Sequence, residues 1–139
     1  MNYLSENKVL NQDLWSLEED RKFGLSNEQP VIELLKIHFC ENITPSVGRY
    51  CPYDGESVTC KYEIKTRRNK YNTYPTTIIT VKKMNTVGKL RFVFSFTDGL
   101  YYIEFNKELF SKFKKQEITR VGAKPISHIL IPIEHLFKI

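Results

Sequence analysis

Two apolar runs on either side of a turn, KLRFVFSF at residues 89–96 and LYYIEFN at 100–106, constrain this chain more than any other feature. Thr97-Asp98-Gly99 between them is the punctuation of a tight hairpin, since aspartate and glycine tolerate the positive φ that such turns need. The flanking runs are rich in aromatic and β-branched side chains, which suit a pleated, half-buried surface. A chain with such a pair must bury one of its faces. Phe92, Phe94, Phe96, Tyr102 and Phe105 are expected to pack there.

Upstream of the hairpin the pattern is first helical, then extended. DLWSLEEDRKFG predicts a helix from about Asp13, closed by Gly24. SNEQPVIELLKIHF predicts a second helix, capped by Ser26 or Asn27, with Glu28 and Pro30 in its first turn. Val31, Leu34, Leu35 and His38 form its apolar stripe. SVGRYCPYD reads as a strand ending near Asp54, and GES as a turn. VTCKYEIKTR alternates, with Val58, Cys60, Tyr62 and Ile64 on one side and Lys61, Glu63, Lys65 and Arg67 on the other. TTIITVKK is a third strand, KELFSKFKK a short amphipathic helix, and ISHILIPIEHL a last strand with a terminal turn. Helices followed by a mainly antiparallel meander predict an α+β or mixed α/β domain. The 139 residues fit one domain, residues 1–12 forming a loose polar arm.

Several classes are disfavoured. Apolar runs such as Ile129–Ile133 are far too short to span a membrane, and the opening MNYLSENKVLNQD lacks the order of a secretory signal, so an intracellular protein is expected. Cys40, Cys51 and Cys60 are odd in number and show no CxxC spacing, which disfavours a disulfide framework or a zinc site. His38, His128 and His135 are scattered and read as structural or surface residues. No Gly-rich phosphate loop and no G-x-S-x-G elbow is present, against an NTPase or an α/β-hydrolase. A net charge of +5 and a pI near 9.1 favour a polyanionic partner.

The acidic residues ahead of the basic run KTRRNK carry the chemical signal. Glu28 lies in the helix, Asp54 ends a strand, and Glu63 and Lys65 share one face of the next strand, about 6.5–7 Å apart. Glu33, on the same helix as Glu28, is a rival for its place. Two carboxylates and a lysine surround one pocket if Asp54 lies across the hairpin from Glu63. Phosphodiester cleavage asks for such a set: hard oxygen ligands for Mg²⁺ and a cation beside the attacking water. Arg67, Arg68 and Lys70 follow directly as candidate phosphate contacts, with Lys82 and Lys83 as a second group. Tyr71 and Tyr74 flank the loop and fit a structural role better than base stacking.

Pro52-Tyr53-Asp54, then eight intervening residues, then Glu63-Ile64-Lys65 resembles the PD-(D/E)XK nuclease superfamily, and Gly24-Leu-Ser-Asn-Glu28 resembles its G-x-x-x-E helix. One departure is Tyr53, which separates the proline from the acid. Over roughly residues 20–135 the resemblance implies a restriction-endonuclease-like αβββαβ core, a mixed central sheet flanked by helices. It implies an Mg²⁺- or Mn²⁺-dependent deoxyribonuclease, with Asp54, Glu63 and the Ile64 carbonyl holding the metal. Glu28 would bind a second metal or a metal-bound water, and Lys65 would orient or activate the attacking water. It further implies duplex or branched DNA as substrate, as in Holliday-junction resolvases, and a homodimer. A catalytically inactive nucleic-acid-binding domain of the same fold and an RNA endonuclease are the alternatives, with an interaction protein whose basic face is incidental as a third.

Overall fold

The computed structural model describes residues 17–46, 51, 53–85 and 88–139, with side chains from Glu28 onward except Asn85. The expected arm at residues 1–12 and the expected helix start at Asp13 lie outside them. Helix α1 spans Leu17–Phe39 as one uninterrupted 23-residue element. Two helices divided at Gly24 were expected, but glycine inside a helix costs only about 1 kcal/mol. Pro30 also sits in the interior, where it cannot donate to the Ser26 carbonyl. Burial of Val31, Ile32 and Leu35 against the sheet offsets both penalties, while Leu34 and His38, expected on the stripe, are exposed. Cys40 ends the helix in the left-handed region at φ 53°, and the Glu41 N–H returns to the Lys36 carbonyl at 3.3 Å.

The next described elements are β1 (Thr44–Pro45), β2 (Gly55–Glu56), β3 (Cys60–Thr66), β4 (Thr76–Thr80) and a 3₁₀ turn at Val81–Asn85. They continue with β5 (Lys89–Phe96), β6 (Gly99–Glu104), the four-residue α2 (Lys107–Phe110) and β7 (Lys115–Ile118). β8 (Ile126–Pro132), a second 3₁₀ turn (Ile133–His135) and β9 (Phe137–Lys138) close the chain. Six strands make one mixed sheet in the order β9-β6-β5-β3-β2-β1, and three make another in the order β4-β8-β7. Mixed α/β architecture is therefore the class. Of the strand expected over SVGRYCPYD, residues 47–50 and 52 lie outside the described set, and pairing begins at Gly55, just beyond Asp54.

The predicted hairpin is present as β5 and β6, with Phe96 opposite Gly99 and Thr97-Asp98 as its two-residue turn. The predicted meander is not. β3 runs parallel to β5, from Cys60 opposite Lys89 to Thr66 opposite Ser95, and β4 pairs with β8 in the other sheet. Parallel neighbours need a long crossover, and residues 67–88 supply it, β4 and the first 3₁₀ turn included.

Two apolar clusters result. Val31, Ile32, Leu35, Tyr62, Ile64 and Val93 join α1 to the large sheet. Phe92, Phe94, Phe96, Ile79, Ile129 and Ile131 join the two sheets, with Phe105 packed against them. Tyr102, also expected in the core, packs half-buried against the first cluster instead. Among the described residues, no helix is long and apolar enough to cross a membrane.

Candidate functional site

The site forms where β2 stops. Gly55 faces Tyr62 and Glu56 faces Lys61, so the same register one step further sets Asp54 opposite Glu63. The Asp54 N–H donates to the Tyr62 carbonyl at 2.8 Å. Beyond that point β3 has no β2 backbone beside it, and the Ile64 N–H donates at 2.7 Å to Asp54 Oδ2 instead. In an extended strand a residue's N–H and C=O point to the same edge, so the Ile64 carbonyl opens on the side where Asp54 stands.

Gly55 keeps this corner tight. A Cβ there would meet Ile43 Cγ2 at 3.2 Å, so glycine lets β2 close on Ile43 and, behind it, Ile32 of α1 without pushing Ile43 aside. Glu28 stands one turn before Ile32 on the same helix face, half-buried, and its carboxyl feels the charge of Asp54. Glu33, the rival, is exposed and bonded to Gln29 at 3.0 Å and Lys36 at 3.1 Å, outside the cluster.

Glu63 is the centre. Its side chain is only 4% exposed, and Oε2 receives Lys65 Nζ at 2.9 Å and Lys83 Nζ at 3.3 Å. Oε1 is buried with no hydrogen-bond partner among the described residues, which costs about 1–3 kcal/mol if nothing else satisfies it. The Glu28 carboxyl is pushed up to about 7, by burial first and then by the charges of Asp54 and Glu63. Burial and the Glu63 charge also raise Asp54, while the Ile64 N–H, Lys65 and Lys83 work against them. A cation placed among these carboxylates would relieve that repulsion, and the oxygen donors are of the kind Mg²⁺ or Mn²⁺ accepts. Among the described residues no group of three or more His, Cys, Asp or Glu side chains is set out to enclose a metal ion. Mg²⁺ needs no such cage, since one or two carboxylates hold it while waters and phosphates complete its shell.

The basic residues divide three ways. Arg68, Lys70 and Lys82 are exposed. Lys83, expected with Lys82 as a phosphate contact, reaches Glu63, and no periodicity in TTIITVKK announces that, because β4 belongs to a different sheet. Arg67 is turned inward: Nη2 donates to the Ile78 carbonyl at 2.6 Å, Nε to Thr77 Oγ1 at 3.3 Å, and its carbon lies 5.6 Å from the Phe94 ring centre. Its side chain ties the two sheets together, so a phosphate contact by Arg67 does not follow from this placement. Tyr71 has a structural role, donating to the Ile133 carbonyl at 2.7 Å and stacking on Tyr101 at 4.0 Å; Tyr74 is exposed. His128, half-buried, bonds the Ile126 carbonyl at 2.8 Å. All three cysteines are free thiols.

A second polar network lies on the other face of β3 and had no signal in the sequence. Tyr62 Oη donates to Glu41 Oε1, which also receives Ser57 Oγ at 2.9 Å; Thr59 Oγ1 donates to Oε2 at 3.2 Å. Arg91 Nη1 reaches Tyr62 Oη at 2.5 Å and Glu41 Oε2 at 3.4 Å, Nε reaches Glu104 at 3.4 Å, and the guanidinium lies 4.0 Å over the Phe39 ring. Compared with family models, curated proteins and solved structures, the chain matches none.

Proposed function

We propose that this chain is a metal-dependent endonuclease that hydrolyses phosphodiester bonds in DNA, on a core related to that of the PD-(D/E)XK enzymes. Glu63 carries the reading: a carboxylate almost wholly buried beside Asp54 and two ammonium groups, with one oxygen left unpaired. Buried carboxylate oxygens are rarely left so unless a ligand takes them. Asp54, Glu63 and the Ile64 carbonyl would hold Mg²⁺ or Mn²⁺, with Glu28 behind Asp54. When bound, the ion would supply neutralising charge for the phosphate oxygens and acidify a water.

The chain's own groups do the rest. Lys65, 2.9 Å from Glu63 and about one quarter exposed at 28%, orients the attacking water. Arg68, Lys70 and Lys82 hold the nucleic-acid backbone and carry no sequence information. A helix carrying an acid, then a short hairpin with an acid across from E-x-K, supports the kinship. The separate sheet for β4 and the four-residue α2 depart from it.

The test is a cleavage screen with Mn²⁺ on linear duplex, a four-way junction, single-stranded DNA and RNA. Wild type is expected to cut DNA, and Lys65→Ala to lose about 100-fold or more while binding DNA unchanged. Undiminished cleavage by that variant removes Lys65 from the mechanism. DNA binding by wild type without Mn²⁺ affinity points instead to a silent binding module, and cutting of RNA alone reassigns the substrate.

A further inference from the structure

Lys83 is the feature the nuclease reading does not absorb. It arrives from outside the sheet that carries the acids, on the 3₁₀ turn that follows β4. Its Nζ lies 3.3 Å from the same Glu63 oxygen that takes Lys65 at 2.9 Å, and its side chain is 26% exposed. Both ammonium groups therefore sit at the rim of the cluster, close to each other and partly open to solvent.

A surface ion pair would not be built this way. Glu63 is buried, and two cations on one of its oxygens, with the other oxygen unpaired, is an uneven division of charge. The carboxylates of Glu28, Asp54 and Glu63 feel one another's charge here, against the two ammonium groups of Lys65 and Lys83. The residual negative charge is small, enough for one divalent ion and too little for two at close range. Two-metal phosphoryl-transfer sites place ions about 3.5–4 Å apart to stabilise both the attacking and the leaving oxygen. Here Lys83 brings a permanent cation to the buried Glu63 carboxylate.

We infer that the site is a one-metal site in which Lys83 takes the part of the second cation, contacting the phosphate of the substrate while Lys65 serves the attacking water. This rests on the nuclease reading and chooses between the two roles left open for Glu28: it has no second metal to bind. Lys83 adds to the phosphate a charge that does not depend on metal concentration.

The experiment is Mn²⁺ binding to the DNA-free protein, by electron paramagnetic resonance and calorimetry, for wild type, Lys83→Met and Lys83→Glu, alongside cleavage of duplex and four-way-junction DNA. Wild type should bind one Mn²⁺ per chain. Lys83→Met should still bind one, about tenfold more tightly because a competing positive charge is gone. Its cleavage should fall by about 100-fold. Lys83→Glu should bind two. Two Mn²⁺ in wild type overturns the inference even if neither variant folds. So does Lys83→Met with wild-type cleavage and wild-type Mn²⁺ affinity, and in both cases the nuclease reading stands. Wild type that binds no Mn²⁺ and cuts nothing brings down that reading and this inference with it.

Discussion

Tyr62 and Glu63 are neighbours on β3 and face opposite sides of the sheet, and the two polar clusters they anchor are opposites in chemistry. Around Tyr62 every charge has its answer. Glu41 accepts from Tyr62, Ser57, Thr59 and Arg91, and although burial raises its carboxyl, those donors bring it below the ordinary value. Around Glu63 the answers are incomplete. Carboxylates crowd one another, Glu28 is pushed up to about 7, and Oε1 has no partner. The first cluster is finished by the protein alone and holds α1, β3 and β5 together. The second leaves a carboxylate oxygen unsatisfied among the described residues. Buried polar groups that satisfy one another stiffen a fold, whereas those left short are where ligands enter.

The contrast can be broken most sharply at Arg91. Arg91→Ala removes the counter-charge of Glu41 and the donor to the Tyr62 hydroxyl and is expected to cost about 3 kcal/mol in urea denaturation. A loss under about 1 kcal/mol, of the size surface pairs give, would show that the closed network contributes no more than an exposed one. On the open side, Mn²⁺ at 100 times its dissociation constant should stabilise wild type by about 2.7 kcal/mol, seen as a rise in melting temperature. Glu63→Gln should show no such rise, and an unchanged one would place the ion elsewhere. Tyr62→Phe, which keeps the ring and removes only the hydroxyl, is expected to cost about 1.5 kcal/mol without touching Mn²⁺ binding.

The smallest effect sharpens the comparison through pH. Glu28 titrates near 4.5 unfolded and about 7 folded, so between those values the folded chain holds more protons and stability falls as pH rises. Asp54, also raised, pulls the same way. Glu41 pulls the other way: its contribution is present above its unfolded value near 4.5 and is lost as pH falls through its lower folded one. For half-buried Glu28 the change amounts to about 1 kcal/mol after solvent screening. Glu28→Gln should remove it, leaving a variant more stable than wild type at pH 8. Identical pH profiles for the two proteins would mean that Glu28 does not feel its neighbours.

What the sequence conveys and what it withholds divide along local and non-local lines. The Asp54–Glu63–Lys65 geometry follows from strand alternation and a tight connection, both written within a dozen residues. Glu28 over Glu33 follows from the helical stripe once Ile32 is known to face the sheet. The single helix was hidden because Gly24 and Pro30 look like boundaries, and only tertiary burial overrides them. Arg67 shares the alternation of Glu63 and Lys65, but a second sheet covers it, and nothing near residue 67 announces that sheet. The ion pair of Lys83 with Glu63 is hidden for the same reason. The parallel pairing of β3 with β5 is a long-range choice to which period-two patterning is blind.

The bond from the Ile64 amide to Asp54 gives the molecule a built-in reporter. That proton is bonded to a titrating carboxylate where a neighbouring strand would ordinarily provide a carbonyl. In a nitrogen–proton correlation spectrum its resonance should follow the ionisation of Asp54 and the arrival of an ion, one signal among many that monitors the chemistry while its neighbours on β3 monitor only the fold.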